Sequence, residues 1–162
     1  SGDIKGDNKQ NELFINNGDL TFTEMANEYG LDDKGFSTHA AFFDFDRDGD
    51  LDCYLLNNSY KGGFRITSIG KDQRPVRDEV GGDKLFENDN GKFIDISEEA
   101  GIYGSVIGFG LGVTVGDANN DGWMDIYVSN DFFERDYLYI NNQDGTYSEN
   151  LETMIKLSLI HI

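Results

Sequence analysis

Short apolar segments alternate with polar turns along most of the chain, and within the segments about every second residue is apolar. Residues 12–25, ELFINNGDLTFTEM, follow this pattern on both sides of an Asn-Asn-Gly-Asp turn. A period of two residues around such a turn predicts a β-hairpin. Residues 83–96, DKLFENDNGKFIDI, and residues 137–148, YLYINNQDGTYS, repeat the pattern. The sequence therefore predicts three related hairpins.

Two acidic loops lie between the predicted hairpins, and each is flanked by apolar segments that predict further strands. The first acidic loop spans residues 44–52 and the second acidic loop spans residues 117–125. Each has a carboxylate or amide side chain at its first, third, fifth and ninth positions: Asp44, Asp46, Asp48 and Asp52 in the first, and Asp117, Asn119, Asp121 and Asp125 in the second. The glycine at the sixth position, Gly49 in the first loop, allows a sharp turn.

The hairpin, a connector and an acidic loop recur in the same order along the chain, which is therefore a repeat array. A unit of about fifty residues with four short strands is typical of a β-propeller blade. A period of two residues rather than 3.6 favours a blade over a helical solenoid. The sequence thus predicts an all-β fold, a partial β-propeller of four-stranded blades, with about two and a half of the four to eight blades of a complete ring.

Residues 59–82 interrupt the repeat and lack any period, so they predict an inserted loop. This insert contains the only proline, Pro75, and five basic residues: Lys61, Arg65, Lys71, Arg74 and Arg77. A solvated loop is the favoured interpretation, and capture of an anionic ligand is the alternative.

The last residues of the chain, LSLIHI at 157–162, match no part of the repeat. They resemble the translation of an adapter used in preparing sequencing libraries, so we expect a non-native tail in which His161 has no functional role. Residues 1–156 would then be a propeller fragment.

Charge and cysteine content restrict the possible partners and chemistry. The 31 acidic and 13 basic residues give a formal net charge of −18, which disfavours nucleic acid and anionic membranes and favours cations. No apolar run approaches membrane-spanning length. Cys53 is the single cysteine, so an internal disulfide is excluded, and its apolar neighbours predict a small buried side chain.

The carboxylates of the first acidic loop repel one another by about 1 to 4 kcal/mol per close pair at surface-like or water-like dielectric. A cation among them would remove this cost. Ligands that are all oxygen, with no His or Cys nearby, suit a hard ion such as Ca²⁺. The sequence therefore predicts two Ca²⁺ sites, one in each loop. A turn that binds nothing is the alternative, and two loops of identical spacing disfavour it.

Three features together resemble a known family: paired LFxNN hairpins, D-x-[DN]-x-D-G-x-x-D loops, and Phe109-Gly110 ahead of the second loop. They resemble the FG-GAP/VCBS repeats of integrin-α-like β-propellers, most closely the ASPIC/UnbV-type secreted proteins related to cartilage acidic protein. The resemblance implies that each acidic loop joins the first two strands of a blade and holds one Ca²⁺. The implied ligands are the four side chains of each loop and the backbone carbonyl at its seventh position, Asp50 or Trp123.

Other interpretations of these residues are less well supported. An EF-hand needs Glu at the twelfth loop position and a dockerin an acidic residue there, whereas this chain has Leu55 and Val128. His39 lacks a partner at a convincing spacing, which favours a core or edge imidazole over a catalytic base. Trp123 is expected to pack at a blade edge rather than to stack on a sugar. Integrin-type ligand binding is not implied, because Val128-Ser129-Asn130 replaces the GAP-like sequence.

These observations favour a calcium-binding extracellular β-propeller module for protein binding or adhesion, in which Ca²⁺ is structural. A carbohydrate-binding, lectin-like propeller and a non-catalytic part of a secreted enzyme are the alternatives. We do not expect an enzyme, because carboxylates that converge on a cation leave none free to carry a proton. The expected partner is an extracellular protein or a glycan. The expected location is extracellular or at the cell surface, or periplasmic or outer-membrane-associated in a bacterium, where millimolar Ca²⁺ is available.

Overall fold

The computed structural model describes residues 10–59, 72–131 and 134–154. They form short strands and two one-turn helices: β1 (Phe14–Asn16), β2 (Phe22–Glu24), α1 (Ala26–Tyr29), β3 (Ser37–Phe43), β4 (Asp52–Asn57), β5 (Lys84–Asp89), β6 (Lys92–Asp95), β7 (Gly110–Gly116), β8 (Asp125–Asn130), β9 (Tyr137–Asn141), β10 (Tyr147–Glu149) and α2 (Leu151–Met154). Neither of these helices is long and apolar enough to cross a membrane.

The strands form two four-stranded antiparallel sheets and one separate hairpin. Sheet 1 has the order β3-β4-β5-β6, sheet 2 has the order β7-β8-β9-β10, and β1 pairs with β2. The three hairpins and the strands around both acidic loops lie where the sequence predicts them. Each acidic loop joins the first two strands of its sheet, as the family resemblance implies. The fold is all-β, and its sheets are compatible with adjacent blades of a partial propeller.

The connector after the first hairpin contains a short helix. It begins with the helical turn α1, whose Ala26 is buried. Gly30 ends the turn with a left-handed conformation at a φ of 87° and donates its N–H to the Ala26 carbonyl. Glycine adopts this conformation without steric cost, which explains why the helix stops after one turn.

The main hydrophobic core lies between the two sheets. Tyr54, Leu56 and Leu85 project from one face of sheet 1 and are fully buried. Ile126 and Val128 project toward them from sheet 2 and are also fully buried. Complete burial of such a side chain contributes roughly 1.5–3 kcal/mol, so this interface is a principal source of stability.

The opposite face of sheet 1 holds a second, smaller core. Cys53, Leu55 and Phe86 are buried there together with Leu31, and Leu13 of the first hairpin packs against them. The predicted burial of Cys53 is therefore confirmed, and burial raises the pKa of its thiol to about 12. A thiol of this kind is unreactive at neutral pH.

Apolar side chains remain uncovered on the outward faces of both sheets. Phe42 of β3 is 46% exposed, and Leu111 of β7 is 59% exposed. Another blade packed on either face would bury them, as the sheets bury each other's facing residues. His39 lies at the contact between β3 and β7, where its Nδ1 accepts the Val113 N–H at 3.4 Å. It is an edge imidazole, as the sequence predicts.

A buried tyrosine and carboxylate connect the second and third strands of sheet 1. Asp83, just before β5, accepts the Tyr54 hydroxyl at 3.0 Å and the Asn57 N–H at 2.9 Å. Burial raises the pKa of Asp83 to about 7. Asp136 accepts the Tyr127 hydroxyl at the equivalent positions of sheet 2, although there the pair is exposed. The pair is thus a repeated feature of the blades.

The described part of the insert is tied to both sheets rather than fully solvated. Arg74 pairs with the buried Glu134 at 2.8 Å. Arg77 donates to the carbonyls of Ile102 and Asp83, at 2.9 and 2.6 Å. These two arginines therefore have structural contacts, contrary to the expectation of a solvated loop. The other basic residues of the insert and the predicted tail lie outside the described residues: Lys61, Arg65, Lys71 and residues 157–162.

Gly110 provides a test of how closely the sheets must approach. A methyl group there would place its carbon 2.3 Å from Leu56 Cδ1 and 2.5 Å from Leu56 Cγ. Because Leu56 is fully buried, it has no space into which to move. We expect Gly110→Ala to lower the free energy of unfolding by about 1–3 kcal/mol, the usual cost of overpacking.

Gly116→Ala is the matched control, because Gly116 lies in the same strand and a methyl group there meets nothing within 4 Å. Its effect should stay within about 0.5 kcal/mol. Urea unfolding followed by circular dichroism measures both variants. Equal losses of stability would show that the Leu56 contact does not require glycine at position 110.

Candidate metal centre

The two acidic loops follow the same backbone path. In the first loop Arg47 and Gly49 have left-handed φ values of 67° and 99°. In the second loop Asn120 and Gly122, at the same two positions, have φ values of 64° and 87°. This shared path makes each loop curl back on itself, so that side chains from its first half converge.

The first acidic loop brings three carboxylates together. Asp44, Asp46 and Asp48 each offer an oxygen, and these oxygens lie within 4.8 Å of one another. Ca²⁺ binds oxygen at 2.3–2.6 Å, so two ligands of one ion are at most about 4.6–5.2 Å apart. The three side chains therefore fit a single Ca²⁺. Among the described residues, no other group of three acidic, His or Cys side chains meets this condition.

Two buried oxygens in the first loop have no hydrogen-bond partner among the residues that the structure describes. Asp44 Oδ2 accepts the Gly49 N–H at 3.2 Å, but Asp44 Oδ1 is buried and unpaired. Asp50 Oδ1 is also buried and unpaired. A buried polar atom without a partner costs about 1–3 kcal/mol, and more when charged. A bound cation would satisfy the carboxylate oxygens that the protein leaves unpaired.

Raised carboxyl pKa values around the first loop also indicate a site for positive charge. Burial, followed by the carboxylates of Asp48, Asp46 and Asp44, raises the pKa of Asp50. Burial, followed by nearby carboxylates of which Asp46 has the largest effect, also raises the pKa of Glu87 on strand β5. Since a raised carboxyl pKa means that the charged form is disfavoured, the loop is a site where positive charge is stabilising.

The second acidic loop already satisfies its carboxylates with donors. Asp121 accepts the Trp123 N–H at 2.8 Å, the Asn119 side-chain amide at 2.9 Å and the Gln143 amide at 3.1 Å. These bonds lower the pKa of Asp121, and the Trp123 N–H makes the largest contribution. Its need for a cation is therefore smaller than that of the first loop, although Asp117, Asn119 and Asp121 can supply oxygen ligands.

The ninth residue of each loop has a structural role that the sequence alone did not reveal. Asp52 is 1% exposed; its Oδ2 accepts the Phe45 N–H and its Oδ1 accepts the Asn88 N–H, both at 2.9 Å. Asp125 likewise accepts the Ala118 N–H at 2.8 Å. Burial raises the pKa of Asp52 to about 6. Each oxygen keeps a second lone pair, so the ligand role of these residues stays a prediction.

The asparagine of the LFxNN hairpins is a site residue that sequence reasoning missed. Asn88 and Asn141 donate backbone N–H groups to Asp52 and Asp125, each at 2.9 Å. The Asn88 side chain also donates to the Leu51 carbonyl at 3.1 Å. The recurrence of this asparagine in every hairpin was the available signal. Its partner could not be identified because the contact spans 36 residues in sequence.

The sequence of each repeat contains one LFxNN hairpin followed by one acidic loop, and a family comparison recovers the same unit. A profile of the FG-GAP-like repeat matches residues 3–55 and again residues 76–128. This chain belongs to the FG-GAP-like repeat family. A comparison with curated proteins finds no match. FG-GAP-like repeats indicate a propeller-type interaction module, in agreement with the two blade-like sheets.

Each FG-GAP-like repeat is shared between two sheets. The second match begins in the insert, includes β5 and β6 of sheet 1, and ends with β7 and β8 of sheet 2. The hairpin of a repeat therefore completes one blade, and the acidic loop of the same repeat belongs to the next blade. The contact between Asn88 and Asp52 joins a hairpin of one repeat to a loop of the repeat before it.

Measuring the free energy of unfolding in the absence of Ca²⁺ separates the structural role of Asp52 from any role in metal binding. An amide at position 52 would turn an NH₂ group toward one of the two backbone N–H donors. We therefore expect Asp52→Asn to lower the free energy of unfolding by about 1–3 kcal/mol in chelator.

Asp48→Asn is the matched control for this experiment. Asp48 is exposed, and an asparagine would keep the oxygen that accepts the Asp50 N–H at 3.0 Å. Loss of the Asp48 charge also reduces repulsion among the loop carboxylates, so the free energy of unfolding in chelator should be unchanged or slightly higher. Chemical denaturation in chelator measures both variants. Similar stability of the two would contradict the structural role of Asp52.

Proposed function

We propose that this chain is a calcium-stabilised segment of an extracellular β-propeller that binds proteins or glycans in adhesion. The observation that carries the proposal is the group of Asp44, Asp46 and Asp48, whose oxygens lie within 4.8 Å beside the unpaired Asp44 Oδ1. The FG-GAP-like repeats support an interaction module. The narrower relation, to ASPIC/UnbV-type secreted proteins related to cartilage acidic protein, is part of the same proposal.

The residues that would hold Ca²⁺ follow from the two loops. The first loop supplies the side chains of Asp44, Asp46, Asp48 and Asp52 and the carbonyl of Asp50; the second supplies those of Asp117, Asn119, Asp121 and Asp125 and the carbonyl of Trp123. Bound Ca²⁺ would neutralise the carboxylates and hold the turn closed. This role is structural, and the proposal assigns the chain no catalytic activity.

The location of the loops supports a role in presenting a contact surface. Both loops connect the first and second strands of their sheets, so they lie at the same end of neighbouring blades. Asp48 of the first loop and Asp121 of the second are exposed there. A cation that fixes both turns would fix the shape of this end. Rigid loops bind a partner at a smaller entropic cost than mobile loops do.

Removal of Ca²⁺ should lower the melting temperature. A ligand that binds only the folded state stabilises it by about 2.7 kcal/mol at a hundred times its dissociation constant. Differential scanning calorimetry with Ca²⁺ and with chelator measures the effect. Asp48→Asn should remove a larger share of the stabilisation than Asp121→Asn, its counterpart in the second loop, because among the described residues the first loop has buried oxygens without partners and the second has none. An identical transition with and without Ca²⁺ would exclude the calcium proposal.

The affinity measured in the same conditions tests the proposed location. Extracellular modules bind Ca²⁺ with dissociation constants of roughly 10⁻⁴ to 10⁻³ M, and cytosolic buffers bind near 10⁻⁸ M. Isothermal titration calorimetry should give values in the extracellular range. A value near 10⁻⁸ M would contradict an extracytoplasmic location.

Binding to a partner should depend on Ca²⁺. We expect arrays of extracellular proteins and glycans to retain the chain in millimolar Ca²⁺ and to lose it in chelator, since the loops then lose their fixed shape. Asp48→Asn should weaken retention, whereas Glu99→Gln, which removes an exposed carboxylate from a turn outside the loops, should not. Equal retention with and without Ca²⁺ would show that the loops are not part of the binding surface.

A further inference from the structure

We propose that the two acidic loops form one coupled unit, in which a cation bound in the first loop orders the second and raises its affinity. The inference rests on the proposed function, because it concerns the same cation sites. It goes further because it assigns positioning roles to residues of neighbouring blades. Two separate contacts between the loops carry it, one buried and one at the surface.

The buried contact is a continuous path of hydrogen bonds from Asp52 to Asp125. Phe45 donates its N–H to Asp52 at 2.9 Å, and its carbonyl accepts the Asn141 side-chain amide at 2.9 Å. Asn141 then donates its backbone N–H to Asp125 at 2.9 Å. Asp125 accepts the N–H of Ala118, the second residue of the second loop, at 2.8 Å. The ninth residues of both loops are thus linked through Phe45 and Asn141.

Close packing makes this path rigid. Phe45 is 2% exposed, and its ring lies 6.3 Å from the ring of Tyr147 in sheet 2. The Tyr147 hydroxyl donates to the carbonyl of Met124, a residue of the second loop, at 3.0 Å. A displacement of Phe45 therefore moves groups that contact the second loop directly. Ala118, the counterpart of Phe45, is exposed, so the second loop makes no such insertion.

The surface contact joins the rims of the two loops. The guanidinium carbon of Arg47 lies 5.3 Å from the centre of the Trp123 ring. A cation over an indole face at this distance is attracted to it. Arg47 holds its position through the left-handed turn of the first loop, and the Trp123 carbonyl is a proposed ligand of the second. Closure of the first loop around a cation would therefore also position Trp123.

The direction of the coupling follows from the difference between the loops. The first loop has unpaired oxygens at Asp44 and Asp50 and gains most from an ion, so it fills first. In the second loop Asn119 and Gln143 donate to Asp121 and must be displaced or rotated before an ion binds. An ordered first loop, which holds the second through Phe45 and Arg47, reduces the conformational cost of that change.

The test compares the second binding step of the wild-type chain with binding to a variant that carries Asp46→Asn and Asp48→Asn. The two amides keep the oxygens that accept the Asp48 and Asp50 N–H groups, so the turn is preserved. They remove two negative charges, which equals the charge of one bound Ca²⁺. The second loop therefore experiences the same net charge in both cases, and a difference in affinity reports ordering rather than electrostatic attraction.

We expect the second loop of this variant to bind Ca²⁺ about fivefold or more weakly by isothermal titration calorimetry, within the usual range of coupling between sites. Arg47→Gln, an exposed substitution, should weaken the second step in an otherwise unchanged chain. Trp123 is the only tryptophan, so its fluorescence follows the second loop independently. Glu99→Gln should leave both binding steps unchanged.

The outcomes separate the two ideas. A wild-type chain that binds no Ca²⁺ overturns the proposed function and this inference together. Two wild-type binding steps, with a second loop that binds equally well or more tightly in the charge-matched variant, overturn the coupling alone. If Asp46→Asn disturbs folding, as circular dichroism would show, Asp44→Asn with Asp48→Asn gives the same charge-matched comparison, read by Trp123 fluorescence, because an amide oxygen at position 44 can still accept the Gly49 N–H. An unchanged Trp123 titration in that variant also overturns the coupling.

Discussion

The geometry of each blade depends on one buried carboxylate that accepts two backbone hydrogen bonds. In sheet 1, Asp52 joins the second residue of its loop, Phe45, to the third strand at Asn88. Asp125 makes the equivalent connection in sheet 2. Because both acceptors are on one side chain and both donors belong to the main chain, the arrangement fixes the curl of the loop against the sheet. The end of the blade that carries the candidate ligands is therefore held by the fold itself.

The blades are held to one another by packing and by chain connectivity. The core between the sheets buries Tyr54 and Leu56 against Ile126 and Val128, and Gly110 lets Leu56 reach the neighbouring strand. In addition, each FG-GAP-like repeat supplies its hairpin to one sheet and the first two strands to the next sheet. Separation of two blades would thus break a repeat in its middle. This overlap explains how a chain of short strands forms a cooperative array.

The acidic loops place closely spaced carboxylates, which repel one another, at one end of the blades. In the second loop, the side-chain amides of Asn119 and Gln143 donate hydrogen bonds to Asp121 and so stabilise its negative charge. In the first loop, Asp44 and Asp50 retain buried oxygens without partners. Local unfavourable features that a stable surrounding structure tolerates are typical of functional sites. Two loops of nearly identical sequence pattern therefore differ in how far the described residues satisfy their carboxylates, and the first loop is the less satisfied of the two.

The sequence by itself determined the local structure and the oxygen-rich composition of the two acidic loops. A period of two residues and Asn/Gly turns are short-range signals, so the hairpins, the strands around each loop and the all-β repeat fold could be predicted, as could the burial of Cys53. Only the tertiary structure decided which strands share a sheet, that Asn88 meets Asp52, and that Arg47 of one loop lies over Trp123 of the other. These contacts join residues 36 or more positions apart, and their geometry depends on how two sheets pack rather than on any local pattern.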